Sequence, residues 1–281
     1  MANNLKTVLL LGLLTGIILF IGSFWGQEGL TIALMMSLLM NFVSYFFSDK
    51  IALSMYRAQS VTREEAPEIY QMVEFLCARA GIPMPRIYLI PEESPNAFAT
   101  GRNPNHASIA VTQGALRLLN RDELTGVLAH EIAHIKNRDI LISSVAATLA
   151  GMIMWIANMA RYAAIFGGGR SREEGGDGAL AGLLTIILAP IAAMLIQMGI
   201  SRTREYQADA SGAGIAGSPY GLASALQKLD NYSKRIPMEA SPSTAHMMIV
   251  HPFSGRSLMN LFSTHPPVQK RIERLLGRKV A

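Results

Sequence analysis

Two histidines and a glutamate near the middle of the chain have a spacing that suits a metal ion. His130, Glu131 and His134 form the string HEIAH. On a helix, residues i and i+4 lie one turn apart on the same face, so both imidazoles can bind one ion. Glu131 is offset by about 100° and can reach a water on that ion, as in the H-E-x-x-H zinc motif. The alternative is a pair of surface histidines on an ordinary helix.

A catalytic zinc ion needs a third protein ligand besides its water. Uncharged runs at 140–160 and 178–201 are each long enough to cross a membrane. In an antiparallel hairpin of these runs, Glu205 and His134 project from the same membrane face at matching heights. We therefore expect Glu205 to be the third ligand, with a solvated ion pair as the alternative. Asp209 follows one turn later and is expected to accept a hydrogen bond from a ligand histidine, although a helix cap or an ion pair also suits its position.

Two further segments are candidates for contact with a substrate. His265 precedes two prolines that stiffen the backbone, and we expect it either to stabilise an oxyanion or to occupy the fourth position on the metal. A packing histidine is the alternative. Residues 96–100 predict an edge strand beside the metal, where an extended peptide binds through main-chain hydrogen bonds; an ordinary strand or loop is the alternative. The candidate substrate-binding residues in it are Asn96, Ala97, Phe98 and Ala99.

The composition places these residues in a membrane protein. Half of the 281 residues are hydrophobic and 16% are charged, against about 25% charged residues in a typical soluble domain. A soluble globule and a disordered chain are therefore excluded, and Cys77 as the single cysteine excludes a disulfide scaffold. The missing charge is concentrated in four runs long enough for membrane helices, at 7–27, 29–48, 140–160 and 178–201.

Two polar blocks remain, 49–139 and 202–281, and together they are large enough for one domain with its own core. The fold class predicted is a mainly α membrane protein with four transmembrane helices and a cytoplasmic α+β metalloprotease domain formed from both blocks. The cytoplasmic side follows from the lack of Lys and Arg between the first two runs. A signal peptide is the less favoured interpretation of 7–27, because a second run follows at once. The basic excess of the second block is assigned to lipid headgroups, not to nucleic acid.

Local patterns predict the elements that carry these residues. The spacing of Thr62 and Glu65 predicts a capped helix over 63–80. The pair Asn120 and Glu123 predicts a second cap, and its helix is expected to continue into the third uncharged run because no breaker separates them. Three strands are predicted at 86–90, 96–100 and 108–112, and three later helices at 202–216, 219–234 and 267–276.

The chain resembles the HtpX-type membrane zinc metalloproteases, which are relatives of the prenyl (CAAX) proteases. The resemblance implies that His130, His134 and Glu205 bind one Zn²⁺ per subunit and that Glu131 is the catalytic carboxylate. It also implies a bacterial inner-membrane location and a role in membrane-protein quality control under stress. The segments that carry it are HEIAHIKNRD at 130–139, SRTREYQADASGA at 201–213, STHPPVQKRIERL at 263–275 and NAFATG at 96–101.

Together these observations predict an integral membrane zinc endopeptidase. Its expected substrates are membrane proteins or unfolded polypeptides close to the lipid bilayer. A prenyl-protein (CAAX-type) protease is an alternative within the same chemistry. A membrane transporter or metal sensor without proteolytic activity is the alternative from another class, and the lack of ionisable residues inside the four runs counts against it.

Overall fold

Helices dominate the computed structural model, which describes residues 2–166, 202–235, 249 and 266–277. The helices are α1 (Ala2–Ser23), α2 (Gly26–Met55), α3 (Pro67–Ala80), α4 (Gln113–Leu118), α5 (Arg121–Lys136), α6 (Ile140–Phe166), α7 (Arg202–Ala216), α8 (Tyr220–Arg235) and α9 (Val268–Leu276). The strands are β1 (Gln59–Ser60), β2 (Arg86–Ile90), β3 (Ala97–Gly101) and β4 (Ala107–Thr112). A mainly α chain with a small sheet is thereby confirmed.

The four strands form one sheet in the order β1-β2-β4-β3. Strands β2 and β4 are parallel, whereas β1 and β3 each run antiparallel to their neighbour. Strand β3 therefore lies at an edge of the sheet, as predicted, and pairs Ala99 with Ile109 on β4. Its limits differ by one residue from the predicted 96–100, because Asn96 precedes the strand.

Helix α5 begins where its cap predicts. The Asn120 side chain accepts a hydrogen bond from the Glu123 N–H (2.9 Å), and the Glu123 carboxylate accepts one from the Asn120 N–H (2.9 Å). The expected continuation into the third uncharged run is wrong. Arg138 adopts a left-handed conformation (φ 59°), which an α-helix cannot contain, and a new helix starts at Ile140.

Helix α3 starts later than the predicted residue 63. The Thr62 N–H does donate to the Glu65 carboxylate (2.7 Å), but this contact closes a turn before the helix. The helix itself begins at Pro67, whose fixed φ and missing N–H suit the first helical position. It ends, as predicted, at Gly81, which takes the left-handed conformation with φ 68°.

The membrane prediction is supported in a coarser form than four spans. Within the described ranges, α2 is the one helix long and apolar enough to cross a membrane, and Leu5–Phe20 and Ile140–Ile153 are shorter apolar stretches. The run 178–201 lies outside the described residues. The connection between α1 and α2 falls at residues 24–25, inside the uncharged run 7–27 and not after it. Glu28 therefore belongs to the first helical turn of α2. Large apolar side chains are exposed on α1 and α2, among them Val8, Phe20, Met35 and Leu39.

The end of α2 reaches the sheet. With 30 residues the helix is about 45 Å long, longer than the hydrocarbon core of about 30 Å. Its last turns pack Ala52 and Leu53 against Phe98 on β3 and Ala147 on α6. The opposite face of the sheet packs on α5, in a core to which both polar blocks contribute. The edge strand is thus held between the core of the two polar blocks and the apolar helices.

Candidate active site

The HEIAH segment lies in the buried part of α5, against α7. His130 and Glu131 are buried, and His134 is partly buried. The two helices approach closely at Gly212, where an added Cβ would lie 3.0 Å from the main-chain nitrogen of His130. This contact brings Glu205, seven residues before Gly212 on the same face, to the two histidines.

The side chains of His130, His134 and Glu205 converge on one point. Their candidate ligand atoms lie within 4.8 Å of one another. The two Nε2 atoms are 3.2 Å apart, and the Glu205 carboxylate oxygens are 3.5 Å from His134 Nε2 and 3.7 Å from His130 Nε2. A tetrahedral ion with bonds of about 2.0–2.1 Å separates its nitrogen ligands by about 3.3–3.4 Å. The donor set and its spacing therefore fit zinc.

A carboxylate lies beside the other ring nitrogen of each histidine. Asp209 Oδ1 lies 3.0 Å from His130 Nδ1, in a close contact without the geometry of a hydrogen bond, so its predicted role as an acceptor for a ligand histidine stays a prediction. Asp139 lies 3.2 Å from His134 Nδ1, a contact that the sequence analysis missed. Such partners fix the ring orientation and direct Nε2 to the metal. The sequence signal that could have identified Asp139 is its position, five residues after His134 and immediately before the uncharged run 140–160.

Carboxylates lie close to both histidines, and the Arg271 guanidinium lies 3.4 Å from His130 Nε2. Burial alone would lower the pKa of His134. The hydrogen bond with Asp139 and the charges of Glu205 and Glu131 outweigh burial and raise this pKa to about 9, so the surroundings of His134 favour a positive charge. Burial also raises the pKa of Glu131, against the opposing charges of both histidines. The Glu131 carboxylate therefore accepts a proton more readily than an exposed glutamate does.

Arg271 is a second residue that the sequence analysis missed. It is fully buried and donates to both Asp209 oxygens, from Nε (2.9 Å) and Nη2 (2.7 Å), and to the Ile249 carbonyl (2.8 Å). Burial alone would raise the pKa of Asp209, but the Arg271 charge outweighs it and holds that pKa at about 2. Asp209 therefore stays ionised beside His130. Sequence offers little signal, because Arg271 stands among other charged residues of a short helix.

The predicted substrate strand lies beside Glu131. The Ala99 N–H donates to Glu131 Oε2 (2.8 Å), and the Asn96 side chain accepts from the Ile249 N–H (3.2 Å). Ala97 and Ala99 belong to the core cluster shared with α5, whereas Phe98 packs on the other face of the sheet. The Phe98 side chain therefore points away from this site.

His265 lies outside the described residues, so its role stays a prediction. The other predicted residues meet at one place: Glu131 and the metal-binding trio on α5 and α7, Asp209 behind His130, and β3 alongside.

The sequence matches known proteins over nearly its full length. Residues 63–279 match the family model described as Peptidase family M48. A "Protease HtpX homolog" of Desulfatibacillum aliphaticivorans is 58% identical, covering 99% of this chain and 91% of the relative. One from Thermococcus sibiricus is 55% identical, covering 99% and 96%.

A solved structure shares the fold. The crystal structure of S. mikatae Ste24p aligns with a TM-score of 0.52 at 20% identity, covering 98% of this chain and 65% of that protein. The chain thus spans about two thirds of the length of that structure, and the likeness concerns the fold. The family match and the full-length relatives carry the assignment: the chain belongs to peptidase family M48 and is a membrane-associated metalloprotease.

Proposed function

We propose that this metalloprotease is a zinc endopeptidase that cleaves misfolded or damaged membrane proteins at the bilayer surface. His130, His134 and Glu205 would hold one Zn²⁺ per subunit, with Glu131 as the general base. The observation that carries the proposal is the convergence of three ligand atoms within 4.8 Å, with the Glu131 carboxylate on the same helix.

The chemistry follows from the residues around the metal. When bound, zinc polarises the scissile carbonyl and lowers the pKa of a water at the site. Glu131 takes a proton from the attacking water and delivers it to the leaving amine nitrogen. Asp209 and Asp139 keep the histidine rings oriented, and the Arg271 charge keeps Asp209 ionised. The predicted role of His265 is a hydrogen bond to the oxyanion, or a closing ligand on the metal.

The substrate class is supported by how close the site lies to the apolar helices. The side chain of Asp139 contacts His134, and its main-chain carbonyl accepts a hydrogen bond from the Ser143 N–H (3.4 Å) at the start of α6. The candidate peptide-binding strand rests on the last turns of α2. A segment leaving the membrane beside these helices is therefore near the metal and near Asn96, Ala97 and the main chain of Ala99.

The remaining parts of the proposal concern organisation and location. Residues 49–139 and 202–281 would form one cytoplasmic protease domain, and 7–27, 29–48, 140–160 and 178–201 would span a cell inner membrane. Support comes from the shared core of the two blocks and from the distribution of positive charge along the sequence.

Substrate competition tests the proposed class. Purified protein in detergent would be given an unfolded membrane protein and a prenylated CAAX peptide at equal concentration. We expect cleavage of the unfolded protein with a higher kcat/KM, and the loss of that cleavage on zinc chelation with recovery on zinc addition. Selective cleavage of the prenylated peptide would contradict the proposed substrate class while retaining the metal site.

A further inference from the structure

The outward edge of β3 has hydrogen-bond donors that point away from the sheet. In an antiparallel pair, successive residues alternate between bonding the partner strand and facing outward. Ala99 faces outward, because its N–H donates to Glu131 Oε2 (2.8 Å) and not to β4. Two residues later, the Gly101 N–H donates to the Ser144 hydroxyl of α6 (3.3 Å). The edge is thus attached to α5 at one donor and to α6 at the next.

We propose that the main-chain N–H of Ala99 is a positioning group for Glu131. It fixes one carboxylate oxygen, so that the other oxygen is presented for proton transfer. This inference rests on the proposed function, because it takes Glu131 as the general base. It adds to that function a link between the peptide-binding strand and the catalytic carboxylate.

The length and environment of the contact support a positioning role. Glu131 is 5% exposed, and a buried carboxylate requires hydrogen-bond donors. Hydrogen bonds from N–H groups to charged acceptors are short, about 2.7–2.9 Å, and about twice as strong as neutral ones. The observed 2.8 Å lies in this range. Strand β3 is itself fixed on its far face by Phe98, whose ring lies 5.2 Å from that of Tyr56, so the donor is rigid.

The same arrangement limits where a peptide can pair. The outward N–H groups of Ala99 and Gly101 are engaged by Glu131 and Ser144. A substrate strand that retains these contacts cannot pair at Ala99 or Gly101, and Ala97 is itself fully buried. The Ala99 N–H therefore acts through Glu131 and hence on kcat, separately from substrate binding and KM.

Proline substitution tests this separation. Ala99→Pro removes the N–H that contacts Glu131 and leaves the bonds to β4 intact, because that N–H faces outward, and edge strands accept proline. The proline Cδ takes the place of the lost hydrogen against the Glu131 carboxylate, so exchange of this amide for an ester is the control for bulk. We expect kcat to fall about tenfold or more, less than the loss of about 10²–10⁴-fold that follows removal of a general base. Zinc stoichiometry should stay at the parental value, and KM should change little. Ala99→Gly keeps the N–H and should lose much less kcat than Ala99→Pro.

Ala97→Pro is the matched variant on the same edge, and we expect it to lower kcat less than Ala99→Pro does, because the Ala97 N–H does not contact Glu131. If Ala99→Pro loses zinc or fails to fold, exchange of the Ala99 amide for an ester by incorporation of lactic acid removes only the N–H and takes its place in the assay. Parental kcat in a zinc-loaded Ala99→Pro or ester variant would overturn the inference. Full activity of Glu131→Gln would instead overturn the proposed function on which it rests.

Discussion

At the scale of single residues, the metal-binding trio depends on carboxylates that do not touch the metal. Asp139 bonds the Nδ1 of His134. Asp209 lies 3.0 Å from the Nδ1 of His130, and Arg271 donates to Asp209. The HEIAH spacing predicts that the two histidines are ligands. The antiparallel arrangement of the third and fourth uncharged runs predicts Glu205 as the third ligand. The Asp209–Arg271 pair joins residues 62 positions apart in the chain. It could not be predicted from sequence, because nothing distinguishes Arg271 from the other charged residues of its helix.

The contact of Asp139 leads to a test by metal affinity. Asp139→Asn removes the charge that orients His134, and loss of such a partner costs about 10–100-fold in metal affinity. We expect weaker zinc binding by that factor in a competition titration with a chromogenic chelator. Glu205→Gln should weaken zinc more, because it alters a ligand. Asp122→Asn, an exposed change on the helix that carries His134, is the control, and equal zinc affinity of Asp139→Asn and Asp122→Asn would remove Asp139 from the site.

Cys77 offers a separate test of the core. The thiol is buried in α3, and burial with the nearby charge of Glu74 raises its pKa to about 11. Since the thiolate is the reactive form, N-ethylmaleimide at pH 8 should label Cys77 slowly in the folded protein and rapidly in denaturant. Mass spectrometry over time measures both rates. Equal rates would show that α3 is not packed as described.

At the scale of elements, the site depends on how closely α5 and α7 approach. Gly212→Ala places a Cβ 3.0 Å from main-chain atoms of His130, so the helices must separate by a few tenths of an ångström. We expect turnover to fall about tenfold, together with zinc affinity. Gly214→Ala on the same helix meets no atom within 4 Å and should retain both, with a gain of up to about 1 kcal/mol in unfolding free energy from helix propensity. Equal losses in the two variants would contradict the close-packing account.

Some elements follow from local sequence and others do not. Asn120 and Glu123 predict the start of α5, because a capping box is made by neighbours in the chain. No local pattern predicts the end of α5, because Arg138 takes a positive φ that glycine usually supplies. This break makes the Asp139 contact possible: it separates α5 from α6 and leaves Asp139 within reach of His134.

At the scale of the whole molecule, the protease core and the apolar helices share side-chain contacts. The cluster that joins α2, α6 and the sheet fixes the site near the apolar helices. The proposed cytoplasmic side rests on the charge distribution in the sequence and needs its own test. Reporter fusions after residues 60 and 281 should read cytoplasmic, and a fusion near residue 172 should read external. An external reading at residue 60 would overturn the orientation.

The central claim is that one metal and Glu131 together perform peptide hydrolysis. Its most direct test compares zinc content and proteolysis of the parent and Glu131→Gln in one preparation. Because Glu131 is outside the ligand trio, we predict one zinc per chain in both, with cleavage reduced by about 10²–10⁴-fold in the variant. Parental cleavage by zinc-loaded Glu131→Gln would contradict the account.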